Sequence, residues 1–393
     1  MSSLETPLVK FDSTDQSLPF HDLEIFTQVR EAGGIAWTEE QGGLWVVGTH
    51  ELCKLVAQDH TRFISGKGIR HPRGGHPQIF ALEYDGDKHT AHRRILNDLT
   101  GPRATKAHEP LVRAHARRLA AAVTDGGSGD LGADFAYKLP LDVIFALVGA
   151  PDDIKPEAVR LAESLVAYAR PMPDGSDPAA RLNEIFDDLI ANYTPPPGSW
   201  LATLKQFMNG GEHELDELEV RGALTALLLG GHHSTVRALS CLVSHIVRDP
   251  QLQRDLRDDP SRIPAIAEES MRLDTPLRWF MRTATEDVVL GGQQIHAGDR
   301  VYLLYGSANR DPAQFESPEE FHSEGTKNTA HLAFGWGRHR CAGMPLAQLE
   351  LRVGVEELFA ATEWITLSGD IEWLSLVDPY HMPCTFTRPA AGR

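Results

Sequence analysis

Apolar residues recur at three- and four-residue spacing through seven stretches of the chain: 106–124, 139–149, 155–170, 178–192, 216–248, 262–273 and 345–361. That spacing gathers them on one face of a helix, so each stretch predicts a helix with a buried side. The strand-like runs between them are short: 34–37, 44–47, 288–294, 300–304 and a pair around 364–387. A mainly α chain with a small β region follows. Two Pro/Gly-rich clusters, RPMPDGSDP (170–178) and TPPPGSW (194–200), bracket one helix and do not divide the chain into balanced halves. They read as surface loops, which leaves a single domain over 21–393. The polar residues 1–20 read as a flexible lead-in with the character of neither a signal peptide nor an anchor.

Composition narrows the function. The 393 residues carry a net charge of −17, which argues against nucleic acid as the main partner. No apolar run approaches the roughly 20 residues needed to span a bilayer, so a soluble, monomeric cytoplasmic protein is expected. The four cysteines, Cys53, Cys241, Cys341 and Cys384, are far apart and lack the paired spacing of a zinc site or a disulfide framework. Three of them read as small core residues.

Cys341 is different. It sits in HLAFGWGRHRCAGMPLAQLE (331–350), after glycines at 335 and 337 and just before a helical pattern. At a helix N-terminus, free backbone N–H groups and the helix dipole stabilise a thiolate. Neighbouring arginines lower its pKa further, and such a thiolate is a soft metal ligand. A second unusual feature lies in 216–248. This helix is predicted to start at Asp216, with Glu219 in the capping-box position. It then runs through ALTALLLGGHHSTVRALSCLVSHIV. Adjacent glycines inside a helix cost about 1 kcal/mol each relative to alanine. A tight helix crossing accounts for them, and so does a large flat group lying against Gly230 and Gly231, with polar His232, His233, Ser234 and Thr235 at the same level.

The pattern F-x-x-G-x-x-x-C-x-G, carried by Phe334, Gly337, Cys341 and Gly343, resembles the haem loop of the cytochrome P450 family. Four more elements follow that family's order. EESMR supplies the E-x-x-R pair Glu269 and Arg272, and DGDKHTAHRR supplies H-x-x-x-R as His89 and Arg93. FMRTATEDVVLGG places Arg282 where relatives carry a propionate-binding arginine, and YGSANRDPAQF resembles their A-N-R-D-P segment. Together these motifs span residues 85–345.

The resemblance implies one triangular, mainly helical domain with a long distal helix over the haem. It implies haem b with Cys341 as proximal thiolate and metal ligand. His89, Arg93, Arg282 and His339 would bind the propionates, because two buried carboxylates need several cationic donors. Glu269 and Arg272 would be structural. Dioxygen would bind beside Gly230, Gly231, Ser234 and Thr235, with electrons coming ultimately from NAD(P)H. The chain carries no flavin or iron–sulfur motif, so a separate ferredoxin and ferredoxin reductase are implied, docking near Arg338 and Arg340.

The sequence departs from the family at two places. Relatives carry an acid–alcohol pair on the distal helix, where this chain has His233 and Ser234; His233 is a candidate proton relay. Relatives tend to read F-D-x-x-R near 321, where this chain reads FHSEGTKNTAH. His322 and Gly325 replace the acid and the arginine, and Lys327 is a partial substitute.

Family substrate contacts would come from 65–80 (SGKGIRHPRGGHPQIF), 168–182, the distal helix near Leu227, the strand after Arg272, and a C-terminal turn. These contain Arg70, His71, Arg73, His76, Arg278, Trp279, Phe280, Tyr380 and His381. Cationic groups mixed with aromatics suit a small-molecule or small-peptide substrate bearing carbonyl or carboxylate groups and an aromatic ring. Three functions follow from the resemblance. One is hydroxylation of a specialised metabolite. Another is oxidative coupling of Tyr or Trp side chains in a small peptide. The third is a catalytically impaired haem protein that recruits a partner.

Overall fold

The computed structural model describes residues 6–15, 17–71, 78–166, 175–208, 214–325 and 330–387. Its helices are α1 (Asp22–Glu31), α2 (His50–Gln58), α3 (Gly86–Thr100), α4 (Pro102–Thr124), α5 (Lys138–Val148), α6 (Lys155–Val166) and α7 (Pro178–Ala191). They continue with α8 (Trp200–Met208), α9 (Glu217–Gly231), α10 (His233–Arg248), α11 (Pro250–Asp258), α12 (Ile263–Asp274), the single turn α13 (Tyr305–Ala308) and α14 (Met344–Ala361). All seven predicted helices form, and residues 167–170 of the one expected over 155–170 lie outside the described residues. The predicted helix over 216–248 is two, because the backbone leaves helical geometry at His232 (ψ −77°).

Local chemistry explains the boundaries. The side chain of Asp216 accepts the N–H of Glu219, and Glu219 returns a bond to the N–H of Asp216, closing the expected capping box. Proline follows the cap at the start of α7 and α11, where the missing N–H costs nothing.

The core lies between α4, α5, α9, α10 and α14. Where α4 and α14 run side by side, Arg113 and Arg117 bond Glu357. A five-stranded sheet orders its strands 35–38, 44–47, 300–303, 280–284 and 63–64; only the pairing of 44–47 with 300–303 is parallel. The strand Phe280–Ala284 is the one that the family resemblance places after Arg272; it is absent from the strand-like runs read from the pattern. Its alternation sends Phe280 and Arg282 to one face and Met281 to the opposite cluster. The run 288–294 is a two-stranded hairpin instead of one strand.

Part of the segment 1–20 packs on the rest of the chain among the described residues. Leu8 bridges Trp37, and Phe11 and Leu18 are fully buried against the sheet and α1. Burying two large apolar side chains outweighs the polarity of the residues around them. Among the described residues no helix is long and apolar enough to cross a membrane.

Candidate active site

The Cys341 loop is shaped by hydrogen bonds made before its sulfur is considered. The N–H of Cys341 donates to the Phe334 carbonyl at 2.8 Å. Gly337 has φ +71°, and a Cβ there would lie 2.3 Å from the Ala57 carbonyl oxygen, so only glycine fits. The sulfur sits just before α14 and receives the N–H groups of Gly343 and Met344. His331 Nε2 bonds Glu268 at 2.8 Å, tying the start of the loop to α12.

The arginines do not set the thiol as the sequence suggests. Burial pushes its pKa up, and the two N–H groups, Arg93 and Arg340 only oppose that shift. A coordinated cation would reverse the balance by displacing the thiol proton.

Cys341 opens on a cavity with about 1360 Å³ of space free of protein atoms, counting its mouth. His89, Arg93, Arg282 and His339 converge on it from α3, the strand Phe280–Ala284 and the Cys341 loop. The His89 and His339 rings lie 4.3 Å apart. Both ring nitrogens of buried His89, and Nδ1 of His339, have no partner. Burial, then the charges of His339, Arg338 and Arg93, push His89 down to about 3. Arg93 donates to the Arg340 carbonyl and Arg282 to that of Met281. Asp85 lies 3.5 Å from His339 Nε2. Orphaned donors and clustered positive charge fit a ligand bearing anionic groups, and the thiol fits a metal.

The two glycines have different reasons. A Cβ on Gly230 would meet nothing within 4 Å, because it faces the cavity. On Gly231 it would lie 2.7 Å from Ile144 Cδ1 of α5. Gly231 therefore fits the tight crossing, and Gly230 leaves open space in the cavity. Ser234 and Thr235 line the cavity, and Ser234 Oγ donates to the Gly230 carbonyl at 2.9 Å. His233 does not line it. Its ring bonds the backbone at Ala162 of α6 and packs against His232 at 4.6 Å. Placing His233 in the catalytic set is thus corrected: the break at His232 turns it toward α6.

The network at Glu269 and Arg272 is complete without the family's arginine. Arg272 bonds both carboxylate oxygens of Glu269 and the carbonyls of Asn309, Pro318 and Glu320. The backbone N–H of His322 donates to Glu269. Lys327 lies outside the described residues.

Of the substrate candidates, Leu227 and Phe280 line the cavity. Four do not. Arg278 pairs with buried Asp22, a carboxylate that demands a charged partner. Trp279 packs on Phe11 and Phe26. Arg70 donates to the Leu165 carbonyl, and His381 bonds Asp130 at 2.7 Å. Arg73 and His76 lie outside the described residues. Sequence reading held Phe80 only as the end of the 65–80 stretch and missed Trp200, Tyr305 and Glu350, all in the lining. Glu350 had a legible signal, being an acid on the same stripe of α14 as buried Leu346. Its carboxyl is fully enclosed, one oxygen has no partner, and burial pushes its pKa well up.

The profile of the Cytochrome P450 family matches residues 199–379. The chain is 31% identical to the erythromycin C-12 hydroxylase of Saccharopolyspora erythraea, over 86% of each chain. It is 30% identical to the mycinamicin IV hydroxylase/epoxidase of Micromonospora griseorubida, over 90% of this chain and 92% of that one. The chain belongs to the cytochrome P450 family. Its fold agrees: a mutant of P450 EryK solved in complex with erythromycin B superposes with a TM-score of 0.80 at 28% identity, covering 94% of this chain and 97% of that one. The family implies a haem-thiolate cofactor, and the orphaned donors around Cys341 fit one. In this P450 His89, Arg93, Arg282, His339 and Cys341 come from three separate elements, so the site exists only in the folded chain.

Proposed function

We propose that this P450 is a monooxygenase that hydroxylates an apolar specialised metabolite. The observation that carries this is the composition of the cavity wall. Every charged or imidazole side chain in the described lining belongs to α3, the strand Phe280–Ala284, the Cys341 loop or α14. The wall beyond them is largely apolar, with Phe80, Leu82, Ile144, Trp200, Leu227, Leu277 and Phe280, and its described hydroxyls are those of Thr100, Ser234, Thr235 and Tyr305. Such a wall binds by excluding water and recognises shape more than charge. The cationic contacts that favoured a peptide substrate, Arg70, Arg278 and His381, are engaged elsewhere.

Each residue then has a role. Cys341 would ligate the haem iron, with the N–H groups of Gly343 and Met344 tuning its sulfur. His89, Arg93, Arg282 and His339 would hold the two propionates, whose charge would compensate the cations packed around His89. When bound, a thiolate-ligated haem would supply dioxygen activation. Gly230 leaves open space in the cavity. Ser234 commits its own proton to Gly230, so its oxygen offers lone pairs to a water in the cavity. The apolar wall positions the substrate. Electrons come from NAD(P)H through a ferredoxin and its reductase, with the ferredoxin docking near Arg338 and Arg340.

The test is a titration of the ferric protein followed at the Soret band, with terpenoids and macrolides in one panel and Tyr/Trp peptides in the other. A low- to high-spin shift with the apolar panel, and label from ¹⁸O₂ in the product, is the expected result. A shift only with peptides, and a coupled product without label, would replace hydroxylation by oxidative coupling.

A further inference from the structure

One wall of the distal cavity is a short irregular segment, 78–82, and it is pinned to two helices at once. We propose that His92, fixed by Glu219, is a positioning residue that clamps this segment and thereby sets the width of the cavity offered to substrate. The proposal rests on the P450 reading above.

Phe80, Ala81 and Leu82 line the cavity. Ala81 has φ +58°, a left-handed conformation that a residue with a Cβ adopts only when its surroundings impose it. His92 imposes it. The N–H of Ala81 donates to His92 Nδ1 at 3.3 Å, and the Phe80 ring stacks on the His92 ring at 3.8 Å between centroids and 18° between planes. A neutral imidazole that accepts at Nδ1 carries its proton on Nε2. That nitrogen lies 2.8 Å from Glu219 Oε1, so the bond to Glu219 selects the tautomer and prevents the ring from flipping away from Ala81. Glu219 is itself held by the N–H of Asp216 and by Lys88. It belongs to the cap of α9, and His92 lies on α3. The segment also lies directly on α9. A Cβ on Gly222 would sit 2.5 Å from the Gln78 carbonyl oxygen, and the Phe80 N–H points at the Gly222 carbonyl at 3.4 Å. His92 and Glu219 are both buried, so neither is a surface pair that water could replace.

The experiment compares His92→Phe, which keeps the ring but loses both hydrogen bonds, with His92→Gln, which can accept from Ala81 and donate to Glu219. Two readouts are taken on the full-length protein. The first is hydrogen exchange at the Ala81 amide, which needs no haem. Exchange at least tenfold faster in His92→Phe and within threefold of wild type in His92→Gln is expected. The second is the ratio of Kd for clotrimazole to Kd for imidazole, read from the Soret band. That ratio should move at least threefold in His92→Phe and stay near wild type in His92→Gln. Unchanged exchange, or faster exchange with an unchanged ratio, would overturn the clamp. If His92→Phe does not fold, Phe80→Leu removes the stack and leaves the His92–Glu219 pair; faster Ala81 exchange is expected there, and wild-type exchange would count against the clamp. A wild-type protein without a thiolate-type spectrum would overturn the P450 reading while the exchange readout still tests the clamp.

Discussion

Cys341→Ala should abolish the ferrous–CO band characteristic of thiolate ligation, and its retention would remove Cys341 from the iron. Ser234→Ala should raise uncoupled peroxide release severalfold, measured per NADPH consumed. His233→Ala, in contrast, should leave the pH profile of turnover in place, because that ring is turned to α6. A shifted profile would restore His233 to the proton path. His232 makes a stability prediction. It is fully buried against Tyr137 with neither ring nitrogen bonded, and burial followed by the charge of Lys155 lowers its pKa to about 4. Unfolded, it titrates near 6.5. The unfolded state therefore binds its proton first, and stability is lost as pH falls from about 6.5 toward 4, by up to roughly 3 kcal/mol. His232→Phe, which keeps a ring beside Tyr137, should flatten that acid loss in a series of melting temperatures from pH 8 to pH 5. At this scale the sequence was legible where one residue type serves one purpose. Cys341, Arg93 and Arg282 all meet at the cavity. Arg278 and His381 were misplaced because an arginine or histidine in a plausible segment has several possible partners, and only the fold shows that Asp22 and Asp130 lie closer.

Among the elements, the buried Glu269–Arg272 pair is the most exposed to loss. Glu269→Gln leaves a guanidinium buried without its charge partner and should cost about 3–5 kcal/mol, seen as a fall in denaturant midpoint together with reduced haem loading. An unchanged midpoint would mean that the carbonyl contacts suffice. Helix periodicity was legible at α4, α5, α7, α12 and α14 because each has a broad apolar stripe. The break at His232 was not, since glycine, histidine and serine tolerate both a continuous and an interrupted helix. The strand Phe280–Ala284 was legible only through the family resemblance, because Arg282 and Thr283 interrupt its apolar run.

The whole molecule is strongly acidic, yet Arg338 and exposed Arg340 edge the Cys341 loop, and Arg340 and Lys54 both lie over the Trp336 ring. If an acidic ferredoxin docks there, reduction of the ferric protein should slow by about tenfold between 50 and 300 mM salt, and a salt-independent rate would place the docking elsewhere. The way Arg272 holds its surroundings has another consequence. Three of its bonds go to main-chain carbonyls, at Asn309, Pro318 and Glu320, and Glu269 takes a main-chain N–H from His322. Every residue type supplies a carbonyl, so this anchor is blind to the side chains of 316–324. Within the segment, Glu319, which pairs with Arg30 and Arg310, and Phe321, which stacks on His245, are held by their own side chains; the other positions can drift in sequence while the path of the chain stays put.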